Sequence, residues 1–140
     1  LWRSQRIRIG ARARLMEHVY QRRVHFADTD AAGVVHFSRM LCYAEEAEHD
    51  LLTSLGIPLL GDGGWPRVQA SCDYTAPVKA GDTLSVTISP DQLGSSSIHW
   101  SFTISCDGND VARGEMKTVR VDGAGNATKL DESWRAALMA

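Results

Sequence analysis

The sequence predicts an α+β domain in which one long amphipathic helix packs on a five-stranded antiparallel sheet. Three observations point there. Between Val34 and Leu55 apolar residues recur at steps of three and four, the period of a helix with one buried stripe. From Trp65 onward the period changes to two, as in strands with one buried face. The alternating runs are separated by Gly-, Pro- and Asp-containing turns, which favour antiparallel neighbours.

The elements follow in order. Val19 to Phe26 reads as a first strand, broken by Asp28-Thr-Asp30 and turned by Ala-Ala-Gly33. The helix stripe is Phe37, Met40, Leu41, Ala44, Ala47, Leu51, Leu52 and Leu55, with Arg39, Glu45, Glu46, Glu48, His49 and Asp50 mostly off it. Gly56 ends the helix and Pro58 follows. Val68, Ala70, Cys72, Tyr74 and Ala76 alternate along a second strand; Pro77 to Asp82 turns. Leu84, Val86 and Ile88 mark a third strand, and Pro90 to Gly94 a turn. Ile98 to Cys106 makes a fourth, Asp107-Gly108-Asn109 a hairpin, and Val111 to Val121 a fifth. Asp131 caps a short terminal helix. A lone helix covers one sheet face, so the edges and the second face argue for a homo-oligomer, dimer or tetramer.

Composition narrows the class. The chain has 140 residues, 44% of them apolar, which suits one compact domain. No apolar run approaches the roughly 20 residues of a membrane span, and a net charge of −2 gives no general case for nucleic acid. The three cysteines, Cys42, Cys72 and Cys106, form no CxxC pair, which fits a reducing cytoplasm without a zinc knot or disulfide framework. Residues 1–16 carry five arginines and no acid, leaving ten basic and seventeen acidic residues in the remainder. We read 1–16 as a basic extension, disordered or upstream of a natural start at Met16, and 17–140 as a single domain. A targeting segment or an anion-binding arm are the alternatives.

The chemistry concentrates in Asp28-Thr-Asp30-Ala-Ala-Gly33-Val-Val-His36-Phe37, where strand gives way to helix. A helix start offers unpaired N–H groups and the positive end of the dipole. A carboxylate just before it can serve as nucleophile or base, or can merely cap the helix. Gly33 lets the chain turn sharply and a substrate approach the backbone.

That motif, with Ala70-Ser-Cys-Asp-Tyr-Thr-Ala-Pro77 and Gly81-Asp82-Thr-Leu further on, resembles the 4-hydroxybenzoyl-CoA thioesterase branch of the hotdog-fold acyl-CoA thioesterases, including the 1,4-dihydroxy-2-naphthoyl-CoA thioesterase subgroup. The resemblance spans about Val19 to Val121. It implies a curved five-stranded sheet wrapped around the helix, and hydrolysis of an aromatic acyl-CoA to free acid and CoA without metal or organic cofactor. Asp30 is then the nucleophile or base, and the Phe37 amide the oxyanion donor. It also implies a site between subunits, with CoA reached by a neighbouring chain; Ser96 and Ser97 fall in the region near its pantetheine or phosphates, where a plain β-turn is the other reading.

The remaining candidates weigh differently. Asp28 reads as a turn residue. His36 stands where relatives often carry an aromatic; it lines the acyl pocket or bonds a substrate hydroxyl, or is a surface helix residue. Glu46-x-x-His49 has metal-like spacing, but the second motif that a carboxylate-bridged site needs is missing. Another hotdog branch places its base on this helix, which makes Glu45 or Glu46 the rival catalyst. Cys42 reads as a packing residue, and Arg113, Lys117 and Arg120 as solvated strand charges. An acyl-thioester dehydratase and a non-catalytic thioester-binding module are the competing functions.

Overall fold

The computed structural model describes residues 16–139; residues 1–15, most of the basic extension, lie outside them. The sheet is built from β1 (His18–Arg23), β3 (Arg67–Tyr74), β4 (Thr83–Leu93), β5 (Ser97–Cys106) and β6 (Asn109–Val119). Its order is β1-β4-β5-β6-β3, and every neighbouring pair is antiparallel. The helix α1 (Phe37–Ser54) packs against β1, β3 and β4. A two-residue pair, β2 (Gly63–Gly64) with β7 (Val121–Asp122), and a terminal helix α2 (Glu132–Leu138) complete the described chain.

The core lies between α1 and one sheet face. Met40, Tyr43, Ala44, Ala47, Leu51 and Leu52 meet Leu84, Val86, Ile88, Ile98, Trp100, Phe102, Ile104 and Met116, all buried. The period-two pattern of β4 and β5 therefore reads directly as inside and outside. Trp100 donates its indole N–H to the buried Thr118 hydroxyl (3.0 Å), so both polar groups inside this face are satisfied. The Asp107-Gly108 hairpin closes as expected between Cys106 and Asn109, with positive φ at both turn residues, 50° and 79°.

Several expectations need correction. β3 does not pair with β4: residues 75–82 are too long for a hairpin, and they cross the end of α1 with Val78 buried. The crossing sends β3 to the far edge beside β6. The expected turn at Pro90 is strand instead. Pro90 pairs with Trp100, a bulge between Pro90 and Gln92 absorbs the irregularity, and the β1 pairing stops at Ile88, so no ladder bond is lost to the missing N–H. β1 ends at Arg23, and Phe26–Asp28 is a 3-10 turn. The helix starts at Phe37, not Val34, because Val34 and Val35 are held extended by Lys79, Thr29 and Val78.

The helix stripe also differs. Phe37 is 67% exposed, whereas Glu48, placed off the stripe, is fully buried. Arg67 at the start of β3 explains this: its guanidinium reaches Glu48 at 2.7 Å and Glu45 at 2.8 Å. Burial pushes the Glu48 carboxyl above the usual range, and the Arg67 charge opposes that push. Removing the cation would strand a carboxylate in the core. Arg67→Ala should therefore lower unfolding stability by about 3–5 kcal/mol in urea titration at pH 7. A loss under about 1 kcal/mol, typical of a surface pair, would refute a buried anchor.

Candidate active site

The segment from Asp28 to Phe37 folds as a narrow two-armed turn ahead of α1. Its arms are joined by His36 N–H to the Asp28 carbonyl (2.9 Å) and Asp30 N–H to the Val34 carbonyl (2.8 Å). Gly33 closes the turn at φ 82°; open space surrounds its Cα, so the dihedral, not crowding, demands glycine. The outer arm is tied to the β3–β4 crossing by Val35 N–H to the Val78 carbonyl (2.8 Å).

Asp30 is exposed at this turn. Its Oδ1 accepts from Ala32 N–H (2.8 Å) and Val34 N–H (3.4 Å). Both donors use the same oxygen, so among the described residues Oδ2 has no partner. Asp30 thus caps its own turn and not the helix. The helix is capped by His36, whose Nδ1 accepts from Ser38 N–H (3.2 Å). The Phe37 amide, first of the helix, has no acceptor among the described residues. The turn therefore carries a half-free carboxylate on one arm and a free backbone donor at the end of the other.

Behind the turn lies a polar knot that sequence reasoning recognised only as a turn residue. Asp28 is 4% exposed. It accepts from His25 N–H (3.0 Å) and lies 3.4 Å from Arg22 and 3.6 Å from Arg39. Arg22 also bonds Glu46 (2.7 Å), which accepts from the Tyr20 hydroxyl (2.9 Å), and covers the Tyr43 ring at 4.9 Å. Burial resists ionisation of Asp28, but the His25 amide, the Tyr43 hydroxyl and the two arginines outweigh it and hold the carboxyl below its ordinary range. Burial and the adjacent Asp28 carboxylate push the Tyr43 hydroxyl strongly upward. Glu46 Oε1 is engaged by Arg22 and Tyr20, and Glu45 Oε2 by Arg67, so each rival base is paired with an arginine, whereas Asp30 accepts only from backbone N–H groups.

Tyr74 was also missed as a site residue. It reaches across from β3 and donates its hydroxyl to the Phe37 carbonyl (2.7 Å). Burial, with Cys72 beside it, pushes this phenol up to about 12, so it remains a donor at neutral pH. The period-two pattern placed Tyr74 on the inner face; its bond to the helix start appears only in three dimensions.

Ser96 and Ser97 lie elsewhere. Ser96 lies in the β4–β5 connection and Ser97 opens β5, at the opposite end of β4 from the crossing that touches the Asp30 turn. Eleven residues of strand put that end on the order of 30 Å away. Arg120 is beside them, its amide on the Ser96 carbonyl (2.7 Å). It is not a solvated charge: it is 8% exposed, stacked between Trp65 (5.2 Å) and Trp134 (5.1 Å). Arg135 of α2 bonds the Gly94 and Ser95 carbonyls of the same hairpin. Cys42 is exposed, not packed inside. Among the described residues no group of three His, Cys, Asp or Glu side chains could hold a metal ion, and no helix is long and apolar enough to cross a membrane.

Because Asp28 is depressed in the folded state, its contribution is complete above the unfolded carboxylate range and disappears as pH falls towards the folded value. The stability advantage of the native chain over Asp28→Asn should hold from pH 7 to about 5 and shrink below about 4. Denaturation curves at pH 7, 5 and 3 check it; an advantage that grows on acidification would contradict the depressed carboxyl.

Known proteins resemble the chain in sequence and in fold. The pattern of the thioesterase-like superfamily matches residues 24–138. A 1,4-dihydroxy-2-naphthoyl-CoA hydrolase from Thermosynechococcus vestitus is 42% identical over 96 residues, covering 65% of this chain and 66% of that relative. One from Synechococcus elongatus is 34% identical over 104 residues, covering 70% and 76%. The crystal structure of a 1,4-dihydroxy-2-naphthoyl-CoA thioesterase from Synechocystis matches with a TM-score of 0.80 at 30% identity, over 88% of this chain and 96% of that one. That of a gentisyl-coenzyme A thioesterase matches with a TM-score of 0.80 at 31% identity, over 86% and 98%. A five-stranded antiparallel sheet packed on one long helix, and this family match over most of the length, place the chain in the thioesterase-like superfamily as a hotdog-fold thioester hydrolase.

Proposed function

We propose that the protein hydrolyses an aromatic acyl-CoA to the free acid and CoA, with Asp30 as base or nucleophile and the Phe37 amide as oxyanion donor. The observation that carries this reading is the pairing of a free Asp30 Oδ2 with an unbonded helix-start N–H on the two arms of one short turn. As base, Oδ2 takes a proton from water while the water oxygen bonds to the thioester carbon. The carbonyl electron pair moves to oxygen and is held by Phe37 N–H. Collapse breaks the C–S bond, and the thiolate of CoA recovers the proton. As nucleophile, Oδ2 itself bonds to that carbon, CoA thiolate leaves, and water then cleaves the anhydride. Either route needs a donor where charge develops; one such donor is typically worth about 3–4 kcal/mol.

The aromatic acyl class is supported from two sides. The relatives named above act on hydroxylated aromatic thioesters by their names. Phe37 and Phe26 are 67% and 85% exposed around the turn, an apolar surface that suits a planar ring or a second subunit. The leading substrates are 1,4-dihydroxy-2-naphthoyl-CoA and 4-hydroxybenzoyl-CoA, with Gly33 and His36 beside the acyl end. Ser96 and Ser97 are too distant to serve the same chain's Asp30, so their contact with CoA is assigned to a second copy in a homo-oligomer. The edges of β1 and β3, which have no further strand beside them among the described residues, give that copy places to add.

The test is thiol release from benzoyl-, 4-hydroxybenzoyl-, 1,4-dihydroxy-2-naphthoyl-, hexanoyl- and palmitoyl-CoA, with Asp30→Asn beside the native chain. An aryl-CoA should be turned over best, and Asp30→Asn should reduce kcat by about 10²–10⁴-fold. Full turnover by the variant would remove Asp30 from the chemistry. Tight binding of acyl-CoA without thiol release would favour a binding module.

A further inference from the structure

We propose that His36 is a positioning residue that leaves Phe37 N–H, among the described residues, as a free and directed donor at the start of α1; the inference rests on the oxyanion role given to that amide above. Four N–H groups at a helix start lack helical partners. Here they are sorted by a single residue. The His36 carbonyl accepts from Arg39 N–H (2.9 Å), which fixes the plane of the His36–Phe37 peptide and hence the direction of Phe37 N–H. The His36 amide is bound to the Asp28 carbonyl (2.9 Å), so the same residue is anchored to the arm that carries Asp30. Its imidazole then removes the competing donor: Nδ1 accepts Ser38 N–H at 3.2 Å, and Ser38 Oγ lies 2.7 Å from the same nitrogen.

Because Ser38 N–H donates to it, Nδ1 serves as an acceptor in this geometry. The ring lies against Phe37, with centroids 4.5 Å apart, and covers the residue whose amide it leaves free. His36 thus acts through Phe37. Without the cap, Ser38 N–H would be unsatisfied, the first turn would fray, and the oxyanion would meet a donor of unfixed direction.

Serine and alanine replacements separate this role from direct contact with substrate. Both His36→Ser and His36→Ala lose the ring, so any ring–substrate contact is lost equally. Serine alone can accept from Ser38 N–H. With the aryl-CoA that the native chain turns over fastest, kcat of His36→Ser should exceed that of His36→Ala by about five- to tenfold, with KM values within about twofold. His36→Asn, a second cap-competent variant, should fall with His36→Ser. Equal kcat in all three would overturn the proposal, as would a difference in melting temperature without one in kcat, since that is a cap with no part in the reaction. Asp30→Asn, assayed alongside, keeps the two readings apart: an inactive Asp30→Asn with equal serine and alanine variants removes only the His36 role. Full turnover by Asp30→Asn removes the base, and an inactive native chain overturns both.

Discussion

Helix α1 must begin somewhere, and its first amides must go unpaired or find partners outside the helix. Much of the architecture around residues 28–38 follows from that constraint. Val34 and Val35 stay extended because the β3–β4 crossing takes their backbone groups. His36 then starts the helix with its own side chain. Among the described residues, Asp30 Oδ2 and the Phe37 amide are left without a partner. Both residues are exposed, so leaving these groups unpaired costs little.

The turn is backed by charge. Asp28 is out of water, yet it remains ionised because an amide and two arginines surround it. The same Arg22 reaches Glu46, so β1, the 3-10 turn and α1 are joined by one network. At the other flank of the helix, Arg67 joins β3 to Glu45 and Glu48. Both networks attach acidic side chains of α1 to the two edge strands. Apolar packing alone would let the helix slide along the sheet; directional bonds at both flanks limit that freedom. Glu45, Glu46 and Glu48 are thereby paired with arginines, whereas Asp30 accepts only from backbone donors.

The opposite end of the sheet has its own organisation. Arg120, stacked between two tryptophans, and Arg135, bonded to hairpin carbonyls, fasten α2 and the β2–β7 pair to the β4–β5 connection. Cation–π stacking offsets part of the cost of burying the Arg120 guanidinium, whose Nη1 has no hydrogen-bond partner among the described residues. This end of the protomer is therefore held by arginine and aromatic rings, while the turn end is held by ion pairs.

The sequence by itself determined the helix, its approximate length, the alternation of β4 and β5, the Asp107-Gly108 hairpin and the turn that carries Asp30 and Gly33. All are local: each depends on residues within a few positions, where periodicity and turn chemistry act. The tertiary structure decided what depends on distant partners. Nothing near Glu48 in the chain announces Arg67, and nothing near Asp28 announces Tyr43. The placement of β3 beside β6 rests on a crossing that local pattern cannot order, because antiparallel alternation looks the same whichever strand lies alongside. The role of His36 was hidden for a different reason. Histidine is not among the usual helix caps, and it becomes one here because Asp28 holds its backbone and Ser38 brings its N–H to the ring nitrogen.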